Sequence, residues 1–316
     1  MANTTLGSAS LATVRRRQGK LERQEARAFY AFVSPWLLGF ILFGGGPLVA
    51  ALLLSFANWP LLQAPSWVGF ANYERMFSDP LFHKAVLNTF YFGIGSVVLG
   101  VSTSLFIAIL LNQKVRGMAL FRTLFYLPAV VAGVATAILW VNILQPDYGL
   151  INSALRLIGI QGPGWLSSEQ WAIPGLILMS VWGAGNVIVI YLAGLQGISP
   201  TLYEAAMIDG AGWWGRFWHV TVPMISPVIF FNVVTSLVAS LQAYTLVLIM
   251  TGGGIPGTAG GPNNATLLLG LYIYRQAFEY FDMGYAAALS WGMFVLIGAA
   301  TAVQFTLARR WVHYDA

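Results

Sequence analysis

Six long apolar runs, separated by polar segments, dominate the hydrophobic pattern of this chain. Each run is long enough to cross a hydrocarbon core as a helix, which takes about 20 residues. The pattern therefore predicts an all-α integral membrane protein with six transmembrane helices in residues 29–308, a polar N-terminal tail at 1–28 and a short C-terminus at 309–316. The six runs are 29–56, 85–111, 119–144, 171–195, 224–250 and 284–307.

One polar interruption, residues 196–223, carries helix signals of its own. Ser199 followed by Pro200 is a strong helix start, because serine can accept from a first-turn amide and proline there has no amide to satisfy. The stretch 209–212, Asp-Gly-Ala-Gly, then breaks that helix. A short amphipathic segment from Trp213 to Val220 follows, and Pro223 marks the entry to the next apolar run. The pattern predicts helix, turn, helix.

Lysine and arginine are distributed unevenly between the two sides that six spans would create. With the N-terminus inside, twelve basic residues face inward and four face outward, which predicts that both termini and the 196–223 loop are cytoplasmic. The outer four are Arg75, Lys84, Arg156 and Arg275. The inner twelve are Arg15, Arg16, Arg17, Lys20, Arg23, Arg27, Lys114, Arg116, Arg122, Arg216, Arg309 and Arg310.

Composition supports a membrane protein and removes several other classes. The chain is 58% apolar and only 9% charged, whereas soluble domains are roughly 25% charged. The net charge of +5 comes from scattered residues that flank membrane segments, with no basic stripe for nucleic acid. The absence of cysteine excludes disulfides, thiolate metal sites and a catalytic thiol.

Residues for enzymatic chemistry are missing. The three lysines precede Leu21, Ala85 and Val115, so the chain has no phosphate-binding Gly-Lys-Ser/Thr loop and cannot by itself be an ATPase of that type. The three histidines lie in separate loops without metal-ligand spacing. We therefore expect no catalytic residues, no metal site and no cofactor bound by this chain, and a membrane enzyme is disfavoured.

Polar groups inside the apolar runs are almost all neutral, and Arg122 lies near the end of its run, where it can snorkel. Ion-coupled carriers place charges inside their spans, so energy is expected to enter from elsewhere. Hydroxyl, amide and aromatic groups suit a neutral polyhydroxylated solute, although the same groups also join helices. Four-residue spacing predicts a polar face on the fifth span. The candidate pathway residues are Asn186, Asn232, Ser236, Ser240, Gln242 and Tyr244.

Physical reasoning leaves two interpretations of the 196–223 loop open. It is either a pair of amphipathic helices at the membrane interface or a docking element for a cytoplasmic partner, since both bury an amphipathic face.

Specific residues of this loop resemble a known motif. Glu204-Ala205-Ala206, Asp209-Gly210-Ala211, Val222-Pro223 and Pro227 are similar in spacing to the Glu-Ala-Ala loop of membrane subunits of binding-protein-dependent ABC importers. Further stretches resemble permeases of carbohydrate importers of the maltose and glycerol-phosphate type, the first of two paired subunits. These stretches are 67–73, 121–128, 192–198, 251–254 and 272–278.

The resemblance implies a type I ABC importer permease in a prokaryotic inner membrane. It assigns Glu204, Ala205, Ala206, Asp209 and Gly210 to coupling with a separate ATPase. It further implies two ATP-binding subunits that hold ATP and magnesium, a second homologous permease as the other half of a heterodimer, and an extracytoplasmic solute-binding protein. The expected function is sugar import, and the alternative is a stand-alone secondary carrier or channel for neutral polar solutes.

Overall fold

The structure, a computed structural model, describes residues 6–113, 115–252 and 258–313, with side chains from Glu22 onward. The chain forms two compact units, Met1–Leu54 and Ser55–Ala316. In the first unit, helix α1 (Leu6–Phe40) continues through a π-helical turn (Ile41–Gly45) into α2 (Gly46–Leu54). The segment Glu22–Leu54 is long and apolar enough to span a membrane. Most of the predicted polar tail is therefore helical.

Within the described residues of the second unit, the regular structure is helical apart from one two-stranded antiparallel ribbon, in which Ala57 pairs with Trp67. The ribbon consists of β1 (Ala57–Asn58) and β2 (Ser66–Trp67). The helices are α3 (Ala71–Ser78), α4 (Pro80–Leu111), α5 (Met118–Val130), α6 (Gly133–Ile143), α7 (Leu150–Leu157), α8 (Ala172–Trp182), α9 (Gly185–Gln196), α10 (Pro200–Ile208), α11 (Trp213–Arg216), α12 (Val222–Met224), α13 (Ser226–Leu241), α14 (Thr245–Gly252), α15 (Leu269–Tyr274) and α16 (Met283–Ala308). π-Helical turns cover Phe217–Thr221 and Arg275–Glu279.

Six predicted apolar runs correspond to three continuous spans and three broken ones. Glu22–Leu54, α4 and α16 are long enough to cross a membrane unbroken. The other three are helix pairs: α5 and α6 bend by 100°, α8 and α9 by 50°, and the helical segment Trp213–Met224 bends by 65° against α13. Counting each pair as one span gives the predicted six, and the apolar runs at 119–144 and 171–195 are each divided by a bend.

The fifth predicted run, 224–250, departs furthest from a single helix. Its main helix α13 ends at Leu241, and α14 begins only at Thr245. At the other end, the helix that begins at Trp213 passes through Pro223 and bends before α13, so Pro223 does not start the apolar helix. Pro227 stands in the first turn of α13, where a missing amide costs nothing.

Close helix crossings explain why some breaks carry small residues. Gly185 begins α9 beside α5, and a Cβ atom at this position would lie 2.9 Å from Ala129 Cβ and 3.1 Å from the Phe125 carbonyl oxygen. Such an approach is closer than side chains permit, so only glycine fits without movement of α5. The 50° bend between α8 and α9 therefore occurs next to a tightly packed helix pair.

Two apolar clusters hold the second unit together. The larger joins α4, α6, α8, α14, α15 and α16, and its fully buried side chains include Leu144, Leu271 and Tyr285. The smaller joins the C-terminal end of α4 to α9 and to the chain around Ile225, with Tyr203 and Val220 packed against it. The smaller cluster therefore connects the 196–223 loop to two spans.

Candidate coupling loop and solute pathway

Helix α10 is bounded as the sequence predicts, but its first turn is capped differently. Pro200 occupies the first helical position and Ser199 has an extended backbone. The prediction that Ser199 would accept from a first-turn amide was wrong, because its hydroxyl pairs with the Thr201 hydroxyl at 2.8 Å. The two hydroxyls satisfy each other locally, which competes with capping of the backbone.

The end of α10 forms a Schellman motif around Gly210. The Ala211 amide donates to the Ala206 carbonyl at 2.9 Å, and the Gly210 amide donates to the Met207 carbonyl at 3.1 Å. This pattern places the residue after the helix cap in the left-handed region, and Gly210 has φ of +80°. The hydrogen bonds therefore fix Gly210 relative to the Glu204-Ala205-Ala206 segment.

No residue of α10 is buried. Glu204, Ala205, Asp209 and Gly210 are exposed, and Ala206 is half-buried. Neither the Glu204 nor the Asp209 carboxylate has a hydrogen bond or ion pair with the described part of the chain. The structure thus brings the five predicted coupling residues together on a short helix and its cap.

The opposite side of α10 is tied to the membrane helices. The Tyr203 hydroxyl lies 3.1 Å from the Thr221 hydroxyl, and the Tyr203 ring packs on the smaller apolar cluster with Val220 and Met224. That cluster contains Leu111 at the end of α4 and Leu195 near the end of α9. A displacement of α10 would therefore be transmitted to α4 and α9 through packed side chains.

The candidate pathway residues divide between two cavities and two other positions. Ser236 and Ser240 line a partly open cavity of about 360 Å³ between α4, α8, α9, α13 and α14. The same cavity is lined by Ser96 and Ser180, neither of which the sequence pattern indicated. The Ser96 hydroxyl is buried and has no hydrogen-bond partner in the described residues. Ser96 and Ser180 are single serines inside apolar spans and carry no periodic signal, so only packing brings the four hydroxyls together.

Gln242 and Tyr244 line a second cavity of about 310 Å³ with Tyr274 and Phe278. The Tyr244 and Tyr274 rings stack with their centroids 5.9 Å apart. Because α13 ends at Leu241, Tyr244 does not continue the helical face of Ser236 and Ser240. The predicted single polar face is therefore interrupted.

The two remaining candidates line neither cavity. Asn232 is buried, with only 1% of its surface exposed, and its amide donates to the Val228 carbonyl one turn earlier at 2.9 Å. Asn186 is exposed on α9. The Asn232 side chain therefore bonds to the backbone of its own helix. This contact fits a structural role in stabilising or joining helices.

A polar cluster that the sequence analysis missed lies at the Asp79 end of α4, opposite the 196–223 loop along a helix of 32 residues. Asp79 accepts hydrogen bonds from the Tyr272 hydroxyl, from the Tyr285 hydroxyl at 2.7 Å and from the Leu81 amide at 2.8 Å. Arg75 pairs with Asp282 at 2.6 Å, and its guanidinium lies 3.9 Å from the Tyr285 ring centroid. We name Asp79, Tyr272, Tyr285, Arg75 and Asp282 the Asp79 cluster.

The environment of Asp79 favours its charged form. Partial burial raises the pKa of this carboxyl, but hydrogen bonds from Tyr272, Tyr285 and the backbone amides of Leu81 and Phe82 outweigh burial, so its pKa lies below the ordinary value of 3.8. The carboxylate therefore connects the start of α4 with α15 and α16.

The described residues contain no group of three or more His, Cys, Asp or Glu side chains that could hold a metal ion. What the geometry offers is a helix without buried residues that is linked to membrane spans, and mainly apolar cavities between membrane helices that carry a few hydroxyl groups. These are features of a membrane transport subunit.

Comparison with known proteins identifies the class. Residues 96–314 match the family described as the inner membrane component of binding-protein-dependent transport systems, and the chain belongs to this family. The chain is 41% identical to the probable ABC transporter permease protein YesP of Bacillus subtilis strain 168 over 297 residues, which cover 93% of this chain and 94% of YesP.

Two further similarities extend over nearly the whole chain. The lactose transport system permease protein LacF of Rhizobium radiobacter is 36% identical over 89% of this chain and 93% of its own length. A chain in the crystal structure of a bacterial ABC transporter that imports the acidic polysaccharide alginate superimposes with a TM-score of 0.78 at 25% identity, covering 93% of this chain and 99% of that one. The protein is an ABC transporter permease subunit of the inner membrane, with the type I importer fold expected from the sequence.

Proposed function

We propose that this chain forms half of the translocation pathway of an ATP-driven sugar importer and couples to a separate ATPase through α10. One observation carries the coupling part of the proposal: α10 has no buried residue, yet it is tied to α4 and α9 through Tyr203. A helix in that position can bind a partner on one side and move membrane helices on the other.

The exposed side of α10 supplies the partner contacts. Glu204 and Asp209 provide unpaired carboxylates, Ala205 and Ala206 allow close approach of another backbone, and Gly210 fixes the end of the helix. The partner is the ATPase, whose two ATP-binding subunits hold ATP and magnesium. Closure of those subunits would displace α10 and move the spans between inward-open and outward-open arrangements.

The distribution of charges supports one orientation of the subunit in the membrane. Three of the basic residues expected outside, Arg75, Lys84 and Arg275, lie at the Asp79 end, where Arg75 pairs with Asp282 and Arg275 lies 3.4 Å from Glu279. The basic residues Arg216, Arg309 and Arg310 belong to the other end, where the His313 amide donates to the Ser226 hydroxyl at 2.9 Å. The positive-inside rule supports cytoplasmic termini and a cytoplasmic 196–223 loop.

Further partners complete the importer. A second, homologous permease would close the pathway as a heterodimer, and an extracytoplasmic solute-binding protein would dock at the Asp79 end. The assignment to sugars is supported by LacF, named for lactose, and by the alginate importer. It is also supported by the serine cavity, because hydroxyl groups can replace the water bonds of a sugar without introducing charge.

Reconstitution tests the function. With the ATPase, the second permease and the solute-binding protein, vesicles containing this chain should take up labelled sugar only when ATP is present. Vesicles that contain this chain alone should take up none. Uptake by the single chain without ATP would instead identify a stand-alone secondary carrier or channel.

Replacement of Ser236 tests the serine cavity. Ser236→Leu should reduce uptake at subsaturating sugar about tenfold, because an isopropyl group in place of a hydroxyl fills space that the solute needs, and 1.4 kcal/mol of binding corresponds to a factor of ten. Sugar-uptake rates in reconstituted vesicles provide the measurement.

Thr235→Leu is the matched control on the same helix. Thr235 is exposed and its hydroxyl donates to the Phe231 carbonyl at 2.8 Å, away from the cavity lining. Its uptake should equal that of the wild type. Equal uptake by Ser236→Leu and the wild type would remove Ser236 from the pathway.

A further inference from the structure

A small cavity separates the 196–223 loop from the end of α4. Its volume is about 160 Å³, roughly ten times what a single water requires. Arg216, Asn112, Gln113, Tyr203 and Thr221 supply its polar lining, and no carboxylate lines it. A cavity lined by one cation and several neutral polar groups is suited to an anion.

Arg216 has no counter-ion in the described part of the chain. Its Nε atom is buried and has no hydrogen-bond partner there. A guanidinium nitrogen removed from water without a partner is energetically unfavourable, so an additional acceptor would stabilise it. The Tyr203 and Thr221 hydroxyls already contact each other, while the Asn112 and Gln113 amides are exposed at the cavity rim. Arg216, Asn112 and Gln113 are therefore the available donors.

The surroundings of the cavity place it at the depth of lipid headgroups. Trp213, Trp214 and Trp218 are each more than half exposed, and α13 enters its apolar run only a few residues later. Exposed tryptophans next to the start of a membrane helix are typical of the membrane–water interface. Basic pockets between membrane helices on the cytoplasmic side bind the headgroups of anionic lipids.

We propose that this cavity binds the phosphate group of an anionic phospholipid, with Arg216 as its principal ligand and Asn112 and Gln113 as additional donors. The bound headgroup would bridge the end of α4 and the segment that follows α10, and so brace the loop against α4. Assignment to the cytoplasmic leaflet rests on the proposed function, whereas the binding chemistry does not.

An ATPase side chain is a less suitable occupant of the cavity. Tyr203 faces the cavity from α10, whereas Glu204 and Ala205 are exposed and do not line it. A partner bound to the exposed residues of α10 would therefore contact a different surface from the one that contains Arg216.

Lipid retention by the full-length chain tests the proposal. The chain would be purified from nanodiscs of phosphatidylcholine containing phosphatidylglycerol, and the retained lipids would be counted by native mass spectrometry. Wild type should retain phosphatidylglycerol in preference to phosphatidylcholine. Arg216→Gln should lower the apparent affinity for phosphatidylglycerol about tenfold or more, because a charged hydrogen bond is lost.

Two further variants and one competitor sharpen the result. Arg310→Gln removes an exposed charge at the same end of the molecule and should leave retention unchanged. Arg216→Lys keeps the positive charge but loses the planar guanidinium, so it should retain an amount of phosphatidylglycerol between those of the wild type and Arg216→Gln. It also replaces Arg216→Gln in the test if that variant does not fold. Inorganic phosphate should compete only weakly.

Three results would overturn the proposal. If both Arg216 variants retain as much phosphatidylglycerol as the wild type, Arg216 is not the ligand. If Arg310→Gln loses as much phosphatidylglycerol as Arg216→Gln, the lipid is held by diffuse surface charge. Displacement of the lipid by inorganic phosphate at comparable concentration would indicate a free-anion site. Because the assay reads lipid binding and not transport, failure here would leave the proposed import function standing.

Discussion

Replacing Gly210 with valine is expected to reduce ATP-driven uptake at least about tenfold while leaving the membrane helices folded. Gly210 has φ of +80°, and no atom lies within 4 Å of the position that a Cβ would take. The penalty is therefore backbone strain and not a clash: about 1–2 kcal/mol for an ordinary L-residue and more for a β-branched one. Relief of that strain would break the Schellman hydrogen bonds and reorient Glu204 and Asp209.

Two measurements check this result. Uptake in reconstituted vesicles should fall at least about tenfold, since 1.4 kcal/mol corresponds to a factor of ten. Co-purification of the ATPase subunit should fall with it.

Gly212 offers a matched control two residues later. It also has open space around its Cβ position, but its backbone is extended, with φ of −70° and ψ of −177°, which valine adopts readily. Gly212→Val should bind the ATPase and support ATP-driven uptake like the wild type. Normal ATPase binding and uptake in Gly210→Val would contradict the assignment of this loop to coupling.

Replacing Asp79 with asparagine is expected to destabilise the second unit by about 3 kcal/mol at neutral pH. The substitution removes the charge that accepts hydrogen bonds from Tyr272 and Tyr285, and hydrogen bonds to charged groups contribute about 1.5–3 kcal/mol each without adding fully. The unfolding midpoint in detergent provides the measurement. Asp147→Asn, at an exposed aspartate whose carboxylate has no partner in the described residues, should leave the midpoint unchanged.

The pH dependence gives an independent check on Asp79. Because its pKa in the folded protein lies below 3.8, its contribution is fully present above the unfolded value and is lost as pH falls through the folded value. The stability difference between wild type and Asp79→Asn should therefore be greatest at neutral pH and should shrink below about pH 4. A difference that is constant with pH would show that the carboxylate charge does not stabilise the cluster.

Local signals in the sequence predicted most of the 196–223 loop. Proline at position 200 and glycine at 210 act through their own backbone preferences, so both ends of α10 could be predicted without knowledge of the rest of the fold. The Ser199 hydroxyl was the exception, because a second hydroxyl two residues away competed for it.

The solute pathway was less predictable. Four-residue spacing correctly placed Ser236 and Ser240 on one side of α13, and the structure gives them a common cavity. The same spacing failed at Tyr244, because periodicity assumes a continuous helix and α13 ends at Leu241. Ser96 and Ser180 could not be predicted, since their relation to α13 depends on how three helices pack.

The sequence by itself determined the number of apolar runs, the membrane class and both ends of α10, because hydropathy, charge and turn chemistry act over short stretches of chain. Only the tertiary structure decided the 100° bend between α5 and α6, the cavity beside Arg216 and the Asp79 cluster. Asp79 meets Tyr272 and Tyr285 across 193 and 206 residues of sequence. Contacts at such separations depend on the packing of whole helices, which no local pattern encodes.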